Sequence, residues 1–412
     1  LIDFTRDKWG LENYYLHTHN FYCKLNTMNE TVYTLSMEWF PSHITDQEDE
    51  DCNPDGTAAI DLNVNKRQFE SVIFVGGKTF ANRNVIRSLE VNDIIKFIED
   101  ETGLTYGNHF QLQKEEEKEF YFQNSINGVA VSPYGTIEIQ FDQEGKMTYF
   151  SIIGPFPSND KIKTEDFSLK YEDVEQVGRG QLELITFPSD KQKKFIQIYC
   201  IEEIYITNNQ SKTIPFNQER LMFNIDERIH WESSKKKSFK RKQMNLIENV
   251  TADQVFACEA HPDLIPITDS EKKKCIFAIK DFLCRVYPDD SGKWIVKTLH
   301  REESFIIAKL KVSNHDSLMF QRKLRLFIDS KTYKVLNYMD NKPFLEMYED
   351  FQKEEDIVIP IDKAYELLKP MIYLKPVYVY DFEQNKYILC GKIDSDFGIN
   401  GSNGEIVNLY DL

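Results

Sequence analysis

Apolar and polar residues alternate with a period of two along much of the chain, a pattern that predicts half-buried antiparallel strands. In residues 31–40 every second position is large and apolar: Tyr33, Leu35, Met37 and Trp39. Two shorter alternating stretches follow at residues 59–64 and 69–75, and Gly76-Gly77 ends the second. With residues 11–23 nearby, these stretches predict an N-terminal antiparallel sheet.

Helical spacing appears where runs of strands are about to begin. Residues 89–103 place Ile94, Phe97 and Ile98 on one face, with Asn92 as the predicted N-cap and Gly103 as the stop. Similar faces predict helices at residues 270–287 and 361–369. Strands are predicted after the first helix at 110–113, 119–123, 135–141 and 146–153, and after the second at 294–299, 305–312, 319–328 and 333–339. The predicted fold class is therefore α+β, with tandem modules of a helix packed on an antiparallel sheet behind the N-terminal sheet.

The main domain boundary is predicted at a basic stretch, residues 235–242, which has no apolar period. We favour a solvated linker for this stretch, with a nucleic-acid patch or a peptide for an acidic partner as the alternative. Residues 194–206 are read as one central strand. The predicted domains are listed in chain order: an N-terminal β segment at 1–88, a first module with its following strand at 89–230, a linker at 231–250, and a second module with C-terminal strands at 251–412.

Three stretches carry a family resemblance. They are the hairpin formed by residues 126–131 and 135–146, with Asn127-Gly128 and Gly145, the helix end at residues 282–288, and the closing segment at 362–409. Together they resemble the PepSY-type module, named for peptidase propeptides, in the tandem arrangement of an uncharacterised Gram-positive bacterial family. The resemblance implies a PepSY/cystatin-like fold and a noncatalytic binding role, protease-inhibitory or propeptide-like.

Charge and composition limit the classes of partner and the cellular location that the sequence favours. A formal net charge of −17 argues against nucleic acid or an anionic membrane as the main partner. No apolar run is long enough to predict a membrane span, which needs about 18 residues or more. The seven scattered cysteines favour reduced thiols and a cytoplasmic location. Export with a signal segment removed is the alternative, because the chain starts at Leu1 rather than Met.

Two patterns suggest metal ligands. Asp51, Asn53 and Asp55, followed by Gly56, match the first half of a calcium loop, but the position that should hold a bidentate Glu is Leu62. We therefore favour a solvated turn, with a calcium site as the alternative. His17 and His19 could place two imidazoles on one strand face as zinc ligands, but we favour a structural or surface pair, because no further His or Cys has suitable spacing. No cofactor is predicted.

No sequence signature of a hydrolase, zinc protease or nucleotide-binding enzyme occurs, so no catalytic residue is predicted. Cys258 and His261 are close in sequence, but Cys/His dyads usually come from distant segments. We predict protein or peptide binding by an exposed sheet face or edge, with residues 135–141 and 387–393 as candidate strands. The alternative is a hydrolase whose site is assembled from distant residues. The sequence predicts neither the partner's identity nor the oligomeric state.

The aromatic residues of the C-terminal strands allow two interpretations, core packing or a binding face. They are Tyr373, Tyr378, Tyr380, Phe382 and Tyr387.

Overall fold

A computed structural model describes residues 1–44, 52–86, 88–215, 222–232, 238–244, 250–312, 321–352 and 355–412. The α-helices within these ranges are α1 (Ile2–Trp9), α2 (Val91–Thr102), α3 (Tyr171–Gly180), α4 (Ala252–Ala257), α5 (Asp269–Val286), α6 (Lys342–Glu346) and α7 (Ile361–Leu368). No helix in the described ranges is long and apolar enough to cross a membrane.

The strands of the first part of the chain are β1 (Tyr14–Leu25), β2 (Thr31–Pro41), β3 (Ala58–Asn63), β4 (Gln68–Phe74), β5 (Phe110–Glu116), β6 (Glu119–Ile126), β7 (Val129–Ser132), β8 (Thr136–Phe141), β9 (Met147–Ile153), β10 (Leu182–Ser189) and β11 (Lys194–Ile201). The later strands are β12 (Ile204–Thr207), β13 (Thr213–Pro215), β14 (Phe223–Arg228), β15 (Trp294–Glu302), β16 (Phe305–Val312), β17 (Lys323–Asp329), β18 (Val335–Asp340), β19 (Tyr373–Asp381), β20 (Lys386–Asp394), β21 (Phe397–Asn400) and β22 (Ile406–Asn408).

The chain forms two compact units. Unit 1 comprises Leu1–Asp166, Glu248–His261 and Pro376–Leu389, and unit 2 comprises Phe167–Ile247, Pro262–Lys375 and Cys390–Leu412. A division into compact units does not show which segments fold independently. The domain bounds given above therefore stay a prediction.

Unit 1 is built on one sheet whose strands run in the order β1-β2-β3-β4-β9-β8-β6-β7, with β5 also paired to β6. These neighbours are antiparallel, and β7 pairs in parallel with Val377–Val379 of β19. One face of the sheet is buried in a large apolar core, because its strands carry apolar residues at every second position. Helix α2 adds Ile94, Phe97 and Ile98 to this core from one helical face.

Unit 2 contains two cores. The strands β14 to β18 pair in sequence order, and α5 covers them with Ile279, Phe282 and Leu283. A four-stranded sheet, β10-β11-β21-β22, belongs to the second core with α7, which contributes Tyr365 and Leu368. Strand β12 pairs with β13 and with the Cys390–Ile393 part of β20.

The mixed α+β class with antiparallel sheets is confirmed, whereas the tandem helix-on-sheet modules stay a prediction. The three helices predicted from spacing correspond to α2, α5 and α7. The prediction of a single strand at 194–206 is wrong, because β11 ends at Ile201 and β12 begins at Ile204. At the break, the Glu202 N–H donates to the Gln181 carbonyl and Glu203 accepts from Lys392, so the chain leaves one sheet for the other.

One smaller prediction is also corrected. Asn92 is not the N-cap of α2, because the helix begins at Val91 and Glu90 precedes it. The linker at 231–250 lies only partly within the described residues and stays a prediction. In its basic stretch, Ser238 and residues 240–242 are exposed, whereas Phe239 packs edge-on against Phe282. Trp231, at the start of the predicted linker, is buried in the core under α5.

A matched pair of glycines tests the backbone geometry. Gly103 ends α2 at φ 70°, and Gly180 ends α3 without a positive φ; an added Cβ would meet no atom within 4 Å at either position. We expect Gly103→Ala to destabilise the protein by about 1–2 kcal/mol through the left-handed backbone alone. Gly180→Ala should stabilise it by about 0.4–1 kcal/mol. Denaturant unfolding of both variants checks the pair, and equal shifts of the same sign would contradict it.

A second prediction concerns acid stability. Burial opposes ionisation of Glu271, but hydrogen bonds from Thr268 and Arg301 outweigh it and lower the pKa of Glu271 to about 2. Because the folded pKa is the lower one, the stabilisation is present above the ordinary carboxyl pKa and is lost as pH falls towards 2. Thermal unfolding should therefore show a smaller loss of Tm between pH 6 and pH 2.5 in Glu271→Gln than in the wild type. Glu172→Gln, exposed on α3, should retain the wild-type dependence.

Candidate functional site

The two strands predicted as candidates for a binding face or edge are internal to their sheets. Strand β8, which covers residues 136–141, is hydrogen-bonded to β6 on one side and β9 on the other. Strand β20, which covers residues 387–393, lies between β19 and β12. Binding through an edge is therefore excluded for these two strands, whereas binding through an exposed sheet face stays a prediction. The sequence left the edges open, because alternation along one strand shows which face is buried and not which strands flank it.

Among the described strands of unit 1, β1 is instead an exposed edge. This strand is 12 residues long and pairs with β2 alone among the described strands. Natural edge strands are usually blunted by shortness, proline, lysine or a bulge. Strand β1 has no proline, a single lysine at its far end, Lys24, and one register shift near its start, so residues 18–25 form a regular, unprotected edge.

The other strands that end the described sheets are protected in one of these ways. Strands β13 and β22 have only three residues each, and β10 contains Pro188. Strands β5 and β14 have irregular registers and charged ends. Strand β18 receives a backbone hydrogen bond from the Lys242 N–H at Leu336. Among the described edges, β1 is the most open to pairing.

The turn that follows β1 shows which of its backbone groups point away from β2. The Asn26 N–H donates to the Glu30 carbonyl at 3.0 Å, which makes this a hydrogen-bonded pair of the antiparallel ladder. Bonded and non-bonded pairs alternate, so the even residues from 18 to 24 face β2. His19, Phe21 and Leu25 therefore point their N–H and C=O groups away from β2, and no backbone hydrogen bond of the described residues uses them.

The register shift lies between Leu16 and Thr18 and makes His17 the extra residue of a β-bulge. The His17 ring stacks on Phe40 at 4.0 Å, whereas His19 lies opposite the buried Met37. The expectation that both imidazoles share a face is wrong, because the bulge breaks the two-residue period. Within the described ranges, no group of three or more His, Cys, Asp or Glu side chains could hold a metal ion.

The two sides of the edge differ in chemistry. On the core side, Phe21 and Cys23 are partly buried and pack at the margin of the apolar core. On the other side, Thr18 donates to Glu38 at 2.8 Å and Lys24 donates to Glu70 at 3.0 Å. A strand added to β1 would meet apolar residues on one side and polar residues on the other.

A groove of about 470 Å³ opens beyond the end of β1, where the Asn26–Glu30 turn forms one wall. Lys161 donates to Glu30 at 3.1 Å. Burial opposes ionisation of Glu30, but hydrogen bonds from Asn26 and Lys161 lower its pKa. The positive charge of Lys66 acts in the same direction, so the groove carries charged groups of both signs.

The calcium candidate is only partly covered by the structure. Asp51 lies outside the described residues. The Asn53 side chain donates to Glu38 at 2.9 Å, and Asp55 pairs with Lys78 at 2.6 Å. Two of the three candidate ligands therefore already have partners, and calcium binding stays the untested alternative to a solvated turn.

The remaining sequence candidates have structural partners. Cys258 follows α4 and its sulfur accepts from the Asn65 side chain at 3.1 Å, while the His261 N–H donates to Thr31. Tyr378, Tyr380 and Tyr387 are buried. These three rings therefore belong to the packed interior, and Tyr387 also lines the groove beyond the end of β1.

No protein-family model matches the chain, and no curated protein matches it. One solved structure, the Bacillus megaterium YpeB C-terminal domain, is similar to 82% of this chain over 95% of its own length, at 10% sequence identity and a TM-score of 0.22. A TM-score this low does not establish a shared fold, so the PepSY-type resemblance stays a prediction.

Hydrogen exchange tests the assignment of the edge. We expect the amides of His19, Phe21 and Leu25 to exchange rapidly, and those of Asn20 and Tyr22 to be protected by their bonds to β2. The amides of β8 should be protected without alternation, since both of its sides are paired. Residue-resolved exchange by NMR measures this pattern, and uniform protection along β1 would show that its outer side is covered.

Proposed function

We propose that this chain is a noncatalytic protein that captures an extended segment of another protein as a strand added to β1. The observation that carries the proposal is the regular stretch from Thr18 to Leu25, in which three residues direct unused backbone groups outwards. Strand addition to an open edge is a common mode of peptide recognition, since its main-chain hydrogen bonds require no particular sequence.

The energetics indicate where specificity resides. Each backbone hydrogen bond contributes roughly 0.5–1.5 kcal/mol net, so the outward groups of His19, Phe21 and Leu25 supply modest affinity for any extended chain. An added strand also places alternate side chains on each side of the sheet. Beside Phe21 an apolar side chain would extend the core of unit 1, and on the opposite side a polar one would lie beside Lys24 and Glu70. We infer a ligand with alternating apolar and polar residues.

A protease-inhibitory or propeptide-like role is the finer form of this proposal, in which the captured segment belongs to a protease. This finer role rests on the PepSY-type resemblance. We also propose a cytoplasmic location. A hydrolase remains the alternative function, but no observation in the described residues favours it.

A pair of substitutions at one position tests the proposal. A library of random twelve-residue peptides displayed on phage is selected on the intact chain, and a selected peptide is then synthesised with a fluorescent label. His19→Ala removes an exposed side chain and keeps the outward N–H, whereas His19→Pro also removes that donor without breaking a bond to β2. By fluorescence anisotropy, we expect the Pro variant to bind about 2- to 10-fold more weakly than the Ala variant, which is the loss of one hydrogen bond.

Both variants should keep the wild-type melting temperature within a few degrees, so that the comparison reports on binding. Equal affinities of the Pro and Ala variants for every selected peptide would show that the peptides bind elsewhere.

A further inference from the structure

A second polar cluster lies on the five-stranded sheet of unit 2, on the face opposite its core. Thr298, Lys309 and Arg325 are neighbours in register across β15, β16 and β17. The adjacent residues Leu299, Ala308 and Leu326 point to the other side and are buried in the core under α5. The alternation of the strands therefore places the three polar side chains on one face.

Three polar atoms of this cluster have no hydrogen-bond partner in the described part of the chain. They are the Thr298 hydroxyl oxygen, Nδ1 of His300 and Nε of Arg325. Thr298 is 6% exposed and His300 is 9% exposed, so both are more than nine-tenths buried. Buried polar groups in folded proteins almost always have partners, because leaving them unpaired is costly. Three such atoms on one face point to a ligand.

The existing contacts of the cluster show which unpaired atoms are hydrogen-bond donors and which are acceptors. Glu302 contacts Nε2 of His300 at 3.1 Å and also pairs with Arg325. A carboxylate accepts, so Nε2 of His300 carries the donated proton and Nδ1 presents a lone pair in the neutral ring. The Nε–H of Arg325 and the Thr298 hydroxyl are donors. Lys309 and Arg325 carry positive charge on this face, and Glu302 carries negative charge.

We propose that this cluster binds a small oxyanion of the carboxylate or phosphate class. Arg325 donates from Nε, Thr298 donates from its hydroxyl, and Lys309 supplies charge. His300 completes the site by taking up a proton and donating from Nδ1, while Glu302 holds the ring. The side chains of Arg325 and Glu302 are 35% and 43% exposed, so the cluster borders solvent at this margin.

Proton uptake gives the site a distinctive signature. Burial lowers the pKa of His300, Lys309 and Arg325 act in the same direction, and Glu302 opposes them. On the neighbouring β14, Asp226 is already paired with Lys297. The imidazole is therefore neutral at pH 7.5, and an anion beside it favours the protonated form, so affinity should rise as pH falls.

Calorimetric titration of the intact chain tests the site with inorganic phosphate, sulfate and acetate as probes. We expect saturable binding that weakens at least 10-fold in Arg325→Gln and at least 3-fold in Thr298→Val. Lys331→Gln, which makes the same charge change at an exposed turn, should stay within 2-fold of the wild type. Preference for phosphate and sulfate assigns the phosphate class, and preference for acetate assigns the carboxylate class.

The pH arm uses sulfate, whose charge is constant between pH 6 and pH 7.5. Wild-type affinity should increase about 5-fold or more at pH 6, and His300→Gln should remove this dependence. The absence of saturable binding of any probe at 10 mM, or equal losses in Arg325→Gln and Lys331→Gln, would overturn the proposal. Melting curves establish that each variant is folded.

Discussion

Each strand of a sheet has backbone hydrogen-bonding groups on two sides, and the structure of unit 1 depends on how these groups are satisfied. The strand at the end of its sheet, β1, has a neighbour on one side only among the described strands. Every internal strand satisfies both sides with neighbours, and closed barrels remove edges altogether. The sheet of unit 1 begins with β1, which has β2 on one side only among the described strands. The same strand supplies Phe21 to the margin of the core. The edge therefore joins unused backbone groups to apolar surface, and both can be completed by one additional strand.

Much of the fold could be predicted from the sequence, because burial of one face imposes a period. The alternation at Tyr33, Leu35 and Met37 predicts β2, and the spacing of Ile94, Phe97 and Ile98 predicts α2. Sequence periodicity could not identify neighbours across a sheet. Residues 135–141 form the strand that was predicted, yet β6 and β9 flank it and leave no edge. Pairing is a property of segments distant in sequence, so a local pattern does not contain it.

The candidate functional residues show the same difference between what a local sequence pattern predicts and what strand pairing decides. The histidines at 17 and 19 looked alike in sequence, but one additional residue in the ladder sends His17 to Phe40 and His19 towards the core side. The even positions that bond to β2 follow from one turn, the Asn26–Glu30 hydrogen bond. The cluster at Thr298, Lys309 and Arg325 has no sequence signature, because three strands in register bring it together. A long alternating stretch without proline was the one available signal for β1, and it does not distinguish an edge from an interior strand.

The most direct test of the account is a crystal structure of the chain with a selected peptide bound. The account predicts that the peptide lies about 4.8 Å from β1 as an additional strand, with backbone hydrogen bonds to His19 and Phe21 and an apolar side chain against the core margin. A peptide bound at any other surface, with the outer side of β1 still unpaired, would contradict it.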